Sequence, residues 1–204
     1  MIAAPRPRFR HAAIVACLCL VPGGLSSVAA APATAPDKTE SKPHPPVSLD
    51  DLYARLKGAE DAGEAKAIAG LIERRLARSG SATADLLTER AGQAMGADDL
   101  PLAVELMDRA TALEPGWAEG WSRRATLFFR LSDPATAIAD LQRALALEPR
   151  HFEAWAALGK LYQAQDDKVR ALGAFRRAAA VYPQWDILQK AIERLRPEVD
   201  GRDL

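Results

Sequence analysis

The residues best equipped for covalent or acid/base chemistry are few. Cys17, Cys19, His11, His44 and His151 are the only thiols and imidazoles in 204 residues. A thiolate nucleophile or a Cys-based metal site would have to come from Cys17 and Cys19, both close to the N-terminus. A Ser/His/Asp relay would need His44 or His151, and neither has serine and aspartate partners at a readable spacing. The linear sequence has no glycine-rich phosphate loop and no clustered metal ligands. Two acid pairs, Asp98-Asp99 and Asp166-Asp167, stand just ahead of helical stretches, where capping accounts for them better than acid/base catalysis. His151 shares its place in a repeating pattern with Trp117 and Trp185, which makes it a packing residue. The expectation is a chain that is not an enzyme, with no catalytic, cofactor-binding or metal-binding residues.

Charge narrows the partners. Lys+Arg and Asp+Glu are equal at 27 each, so no basic excess is present to track a phosphate backbone, and nucleic acid is not expected as a partner.

The first 30 residues decide which reactive groups a mature chain would keep. Arg6, Arg8 and Arg10 precede an apolar run from Ala12 to Val21, a break at Pro22-Gly23-Gly24, and small residues at Val28-Ala29-Ala30. That order is the order of a secretory signal peptide cleaved after Ala30. The run is about half the 20 residues that a membrane span needs. Ile14-Val15-Ala16-Cys17 has the form of a lipoprotein cleavage site, but little apolar sequence precedes it. Cleavage after Ala30 removes both cysteines and three arginines, leaving a thiol-free chain of net charge −3. Residues 31–47 contain five prolines and almost no apolar bulk, and read as a disordered tether of about 50 Å at full stretch.

Beyond Val47 the sequence repeats. Steps of 34 residues lead from Trp155 to Trp121, Leu87 and Tyr53, from Ala171 to Ala137, Ala103 and Ala69, and from Pro183 to Pro149 and Pro115. The same step joins Gly159 to Ala125 and Ala91, Phe175 to Leu141 and Met107, and Ala178 to Ala144 and Ala110. Within a unit, Trp155, Leu158, Gly159 and Tyr162 fall on one helical stripe. The small columns mark close approach of two helix backbones, Asp133-Pro134 starts the second helix of its unit, and the closing Pro ends it. Each unit is a helical hairpin that cannot bury its apolar face alone, so stacking is required.

With these columns in place, the chain resembles the tetratricopeptide repeat family. Residues 152–185 meet the pattern W-x2-L-G-x2-Y, then Ala, Phe, Ala and Pro in full, and 118–151, 84–117 and 48–83 meet it progressively less. The expected fold is all-α, a solenoid of stacked helical hairpins. Its expected divisions are a degenerate N-terminal hairpin over 48–83 capping the stack, repeats over 84–117, 118–151 and 152–185, a C-terminal capping helix over 186–196 stopped by Pro197, and a flexible tail over 197–204. Arg124 and Arg90 stand in the column of Leu158, and Ala94 in that of Tyr162, which predicts poorer packing in those units.

The resemblance implies a binding role. In the family the first helix of each unit lines a concave face that accepts a peptide or partner helix. Here those positions hold Thr88 and Met95, with Asp85 and Gly92, in the first full unit. They hold Glu119, Ser122, Thr126 and Phe129 in the second, with Arg123 and Arg130 nearby, and Glu153, Lys160 and Gln163, with Ala156, in the third. The Asn and Lys ladder with which some members clamp a terminal carboxylate is absent, since Gly92, Thr126 and Lys160 fill the column where Asn is needed. The expected function is a protein-binding adaptor of the bacterial envelope, secreted and periplasmic, with no membrane span after cleavage. The alternatives are a self-associating structural protein, or an accessory subunit of envelope assembly or cytochrome maturation.

Overall fold

The computed structural model describes residues 47–201, which form nine α-helices and no strand. The expected signal segment and nearly all of the tether lie outside the described residues. α3 (Ala82–Gly96) pairs with α4 (Leu100–Leu113), α5 (Ala118–Arg130) with α6 (Pro134–Leu147), and α7 (Phe152–Ala164) with α8 (Lys168–Val181). Each second helix also packs on the first helix of the next pair, and α8 packs on α9 (Asp186–Asp200). This is the expected solenoid of hairpins.

The turn inside each hairpin is built the same way three times. Asp98, Ser132 and Asp166 take left-handed backbone with φ of 61°, 59° and 58°, a conformation that Asp tolerates better than most residues. The next residue, Asp99, Asp133 or Asp167, then caps the second helix by accepting from Leu102, Thr136 or Arg170 N–H. The acid pairs are thus a turn and a cap. A second recurring contact ties units together: the indole N–H of Trp121 donates to Pro115 C=O at 3.0 Å, and that of Trp155 to Pro149 C=O at 2.8 Å. The Trp column is half-buried and anchored by this bond, with Arg124 over Trp121 and Arg177 over Trp155, each 4.7 Å from its ring.

Arg124 does not weaken its unit. Its guanidinium holds Asp140, a residue 3% exposed, through Nε at 2.8 Å and Nη2 at 2.6 Å, and reaches Asp108 at 2.9 Å. One unit on, the same two places hold the apolar pair Leu158 and Ala174, both buried. The substitution is therefore paired, and each version is internally satisfied.

Two expectations about the ends are corrected. α1 (Leu49–Gly58) and α2 (Ala62–Leu76) do form a hairpin, with Ser48 and Asp51 making a capping box and Asp61 capping α2. This hairpin does not cap the stack by covering α3. Its apolar residues Leu52, Tyr53, Leu56, Ile68 and Ile72 instead share a core with Phe152 and Tyr182, at the turns between later units. Phe152, Tyr182 and Trp185 form an aromatic cluster with ring centroids 5.4 to 5.8 Å apart. Trp117 Nε1–H donates to Leu76 C=O at 2.7 Å, and Gln184 Nε2–H to Ala59 C=O at 3.1 Å.

The physical reason lies in α3 itself. Thr83 and Gln93 are exposed, whereas the matching places one and two units on, Trp117 with His151 and Leu127 with Leu161, are buried. This stripe of α3 is polar at Thr83, Arg90 and Gln93 and leaves Leu86 48% exposed, while the apolar stripe of the hairpin packs where aromatic surface is on offer.

At the other end Pro197 does not stop the last helix, which runs on to Asp200. The helix loses one backbone bond at the proline, but its final turn is fastened to α8 by Lys168 to Glu198 at 2.6 Å and Arg176 to Asp200 at 2.7 Å, while Val199 packs on the main core.

Candidate functional site

The first helices α3, α5 and α7 lie side by side, and two adjoining cavities open between them. One, of about 230 Å³, lies between α3 and α5 and includes Thr88, Gly92, Met95, Arg123 and Thr126. The other, of about 340 Å³, lies between α5 and α7 and includes Thr126, Phe129, Glu153, Ala156 and Lys160. Thr126 borders both, so the pair makes one continuous groove. Phe129 lines the second cavity with 53% of its surface exposed, the one aromatic ring among the exposed large apolar side chains of the described residues. Lys160 is exposed beside it.

The fold sorts the expected residues. Met95, Arg123, Thr126, Phe129, Glu153 and Lys160 line the groove. Thr88 lines it too, but it is buried and its hydroxyl donates to Ala84 C=O at 2.9 Å, so it offers little to a ligand. Arg130 is a structural tie: it donates to Met95 C=O at 3.0 Å and pairs with Asp98 at 2.8 Å. Ser122 and Gln163 are half-buried and border neither cavity. Glu119 belongs to a polar cluster at the groove's end. Sequence reading missed Ala157 and Trp185 in the second cavity. Ala157 is one step along α7 from Ala156, whereas Trp185 arrives from the cap helix and no spacing announces it.

The polar cluster was not visible in linear spacing. His151, fully buried, caps α7 by accepting from Ala154 N–H at Nδ1, 3.4 Å away, and its Nε2 is 3.0 Å from Glu119 Oε2. Arg123 donates to the other oxygen of Glu119 at 2.6 Å. Burial works against ionisation of Glu119, but the bonds from His151 and Arg123 outweigh it and hold the carboxyl below its ordinary range. For the neighbouring Glu153 the balance is reversed: burial, then the charges of Glu73 and Glu119, push it up. The one sequence signal was that Glu119 and Glu153 stand 34 residues apart, each two places after Trp117 or His151.

No helix of the described residues is long and apolar enough to cross a membrane.

Comparison with known proteins agrees with this architecture. Residues 118–161 match the Tetratricopeptide repeat family. A TPR repeat-containing protein of Rhizobium etli is 36% identical over 115 residues, covering 53% of this chain, and the matched region spans 56% of that protein's length. Among solved structures, the first TPR of Spaghetti (RPAP3) bound to an HSP90 peptide superposes with a TM-score of 0.54 at 19% identity, over 58% of this chain and 94% of that one. The Arabidopsis OM64 TPR domain gives 0.54 at 22% identity, over 57% and 97%. MamA gives 0.54 at 18% identity, over 75% and 77%. Helices α3 to α9 thus have the fold of the solved tetratricopeptide-repeat solenoids, and residues 118–161, from α5 into α7, match the repeat itself.

Proposed function

We propose that the chain is a non-enzymatic adaptor that holds a peptide or a partner helix in the groove along α3, α5 and α7. The observation that carries this reading is Phe129, an exposed aromatic ring that lines the cavity between α5 and α7 together with Lys160. A large apolar anchor flanked by charge is the make-up of an interface hot spot. The likeness to the RPAP3 domain, which holds an HSP90 peptide, supports the same use of the fold.

The proposed place of action is the periplasm of a bacterial envelope, on the strength of the signal-type sequence of residues 1–30. The reading is tested in cells by a photo-reactive side chain at position 129. It is expected to crosslink a partner protein, and the same group at exposed Arg109 on α4 is expected to give no such product. N-terminal sequencing of the exported chain is expected to begin at Ala31. Retention of residues 1–30 overturns the proposed location.

A further inference from the structure

At the starts of α5 and α7, Glu119, His151 and Glu153 each present one ligand-capable atom, all within 4.8 Å of one another. Two successive repeats build the cluster: the glutamates hold equivalent places in the first turns of their helices, and His151 is the residue before α7. Helix N-termini favour carboxylates and His151 caps α7 through Nδ1, but neither role calls for the imidazole and two carboxylates to converge. Nor does either account for Tyr53, which the hairpin brings into the same region: it is 5% exposed and its hydroxyl has no hydrogen-bond partner. Burial raises the pKa of that phenol, and the charges of Glu148, Glu153 and Glu119 add to the effect against Arg150.

We propose that Glu119, His151 and Glu153 form a site for one divalent transition-metal ion of the Zn²⁺ class, bound by an imidazole nitrogen and two carboxylate oxygens with water completing the shell. The donor set is the reason for the class, since one nitrogen and two oxygens suit Zn²⁺ better than the all-oxygen shells of Ca²⁺ and Mg²⁺. Bonds of about 2.0–2.2 Å would place the ligand atoms about 3.3–3.5 Å apart around a tetrahedral ion. The 3.0 Å between His151 Nε2 and Glu119 Oε2 has to open slightly and the wider separations to close, an adjustment that Glu153 can share because its side chain lines an open cavity. Charge also fits: two carboxylates face a single Arg123, and a dication offsets the excess.

Arg123 on the free oxygen of Glu119 is the kind of outer partner that orients a ligating carboxylate. The hydrogen-bond pattern assigns the imidazole proton to Nε2, because Nδ1 accepts from Ala154. The ion takes the Nε2 position, the ring's one proton moves to Nδ1, and the long 3.4 Å contact from Ala154 is given up.

The test titrates the metal-free full chain with Zn²⁺ by calorimetry. It carries Cys17→Ser, Cys19→Ser, His11→Ala and His44→Ala so that the N-terminal groups do not compete, and Glu119→Gln and Glu153→Gln variants are run beside it. The expected result is one ion per chain, a melting temperature that rises with Zn²⁺, and affinity lowered about tenfold or more in Glu153→Gln. Nitrogen NMR is expected to show the His151 proton moving from Nε2 to Nδ1 on binding. Because Glu119→Gln also disturbs the His151 bond, Glu153→Gln is the deciding variant. Absence of saturable one-to-one binding, unchanged affinity in Glu153→Gln, or a His151 ring that keeps its tautomer overturns the site.

Discussion

Gly159 lies against the ring of Phe175 so closely that a Cβ on it would stand 2.5 Å from both Cδ1 and Cε1. The equivalent pairs in the earlier units are Ala125 with Leu141 and Ala91 with Met107, a larger residue on α7's counterpart always facing a slimmer one on the second helix. Gly159→Ala should therefore cost about 1–3 kcal/mol through overpacking. Adding Phe175→Leu, which reproduces the neighbouring unit, should recover most of that loss. Chemical denaturation of the two variants checks it, and equal stability of both would mean that the ring can simply move aside.

Arg124 and Asp140 form the polar counterpart of such a pair. Asp140→Ala leaves a guanidinium that is 19% exposed at its side chain without its main partner, and should cost about 2–3 kcal/mol, below the range for fully buried pairs because of that exposure. The double variant Arg124→Leu, Asp140→Ala copies Leu158 and Ala174 and should be at least as stable as the original chain. Double-mutant denaturation that finds simple additivity would contradict the pairing.

Glu153 gives a pH dependence with a definite sign. Its folded pKa lies above the ordinary value of 4.5, so the folded chain binds that proton more tightly than the unfolded chain. Stability from this group is present below the unfolded pKa and is lost as pH rises through the folded one. In metal-free protein Glu153→Gln should melt higher than the original at neutral pH, and the difference should shrink as pH falls below the unfolded value. Melting curves across acid and neutral pH decide it, and a variant less stable at neutral pH would show that Glu153 has a stabilising partner.

Tyr53→Phe removes a buried hydroxyl that has no partner. In metal-free protein it should leave stability unchanged or raise it by about 1 kcal/mol, because the ring keeps its place beneath Arg150, 4.4 Å away. A loss of more than about 1 kcal/mol in denaturant would contradict the absence of a bond.

How legible these features were depends on the range over which each is determined. The helices and their stacking follow from the 34-residue columns, since a helical hairpin is a local object and its apolar faces repeat with it. The groove was legible for the same reason: Met95, Phe129 and Lys160 point as periodicity requires. Three things were not. The hairpin's seat beside Phe152 and Tyr182 is a long-range choice between two surfaces that no local pattern announces. Helix continuation through Pro197 depends on ion pairs to α8 that no local rule supplies. Arg124 looked like a packing defect because its partner, Asp140, lies on another helix.

Capture of envelope proteins on the folded chain, beside a Phe129→Ala, Lys160→Glu variant of equal helix content, tests the central claim most directly. Lys160 is the better charge to reverse, since Arg123 supports Glu119 and its loss would disturb the cluster at His151. The account predicts a partner retained by the original chain and lost from the variant, with melting temperatures of the two chains nearly equal. The same proteins on both chains, or none on either, would contradict the assignment of binding to the groove.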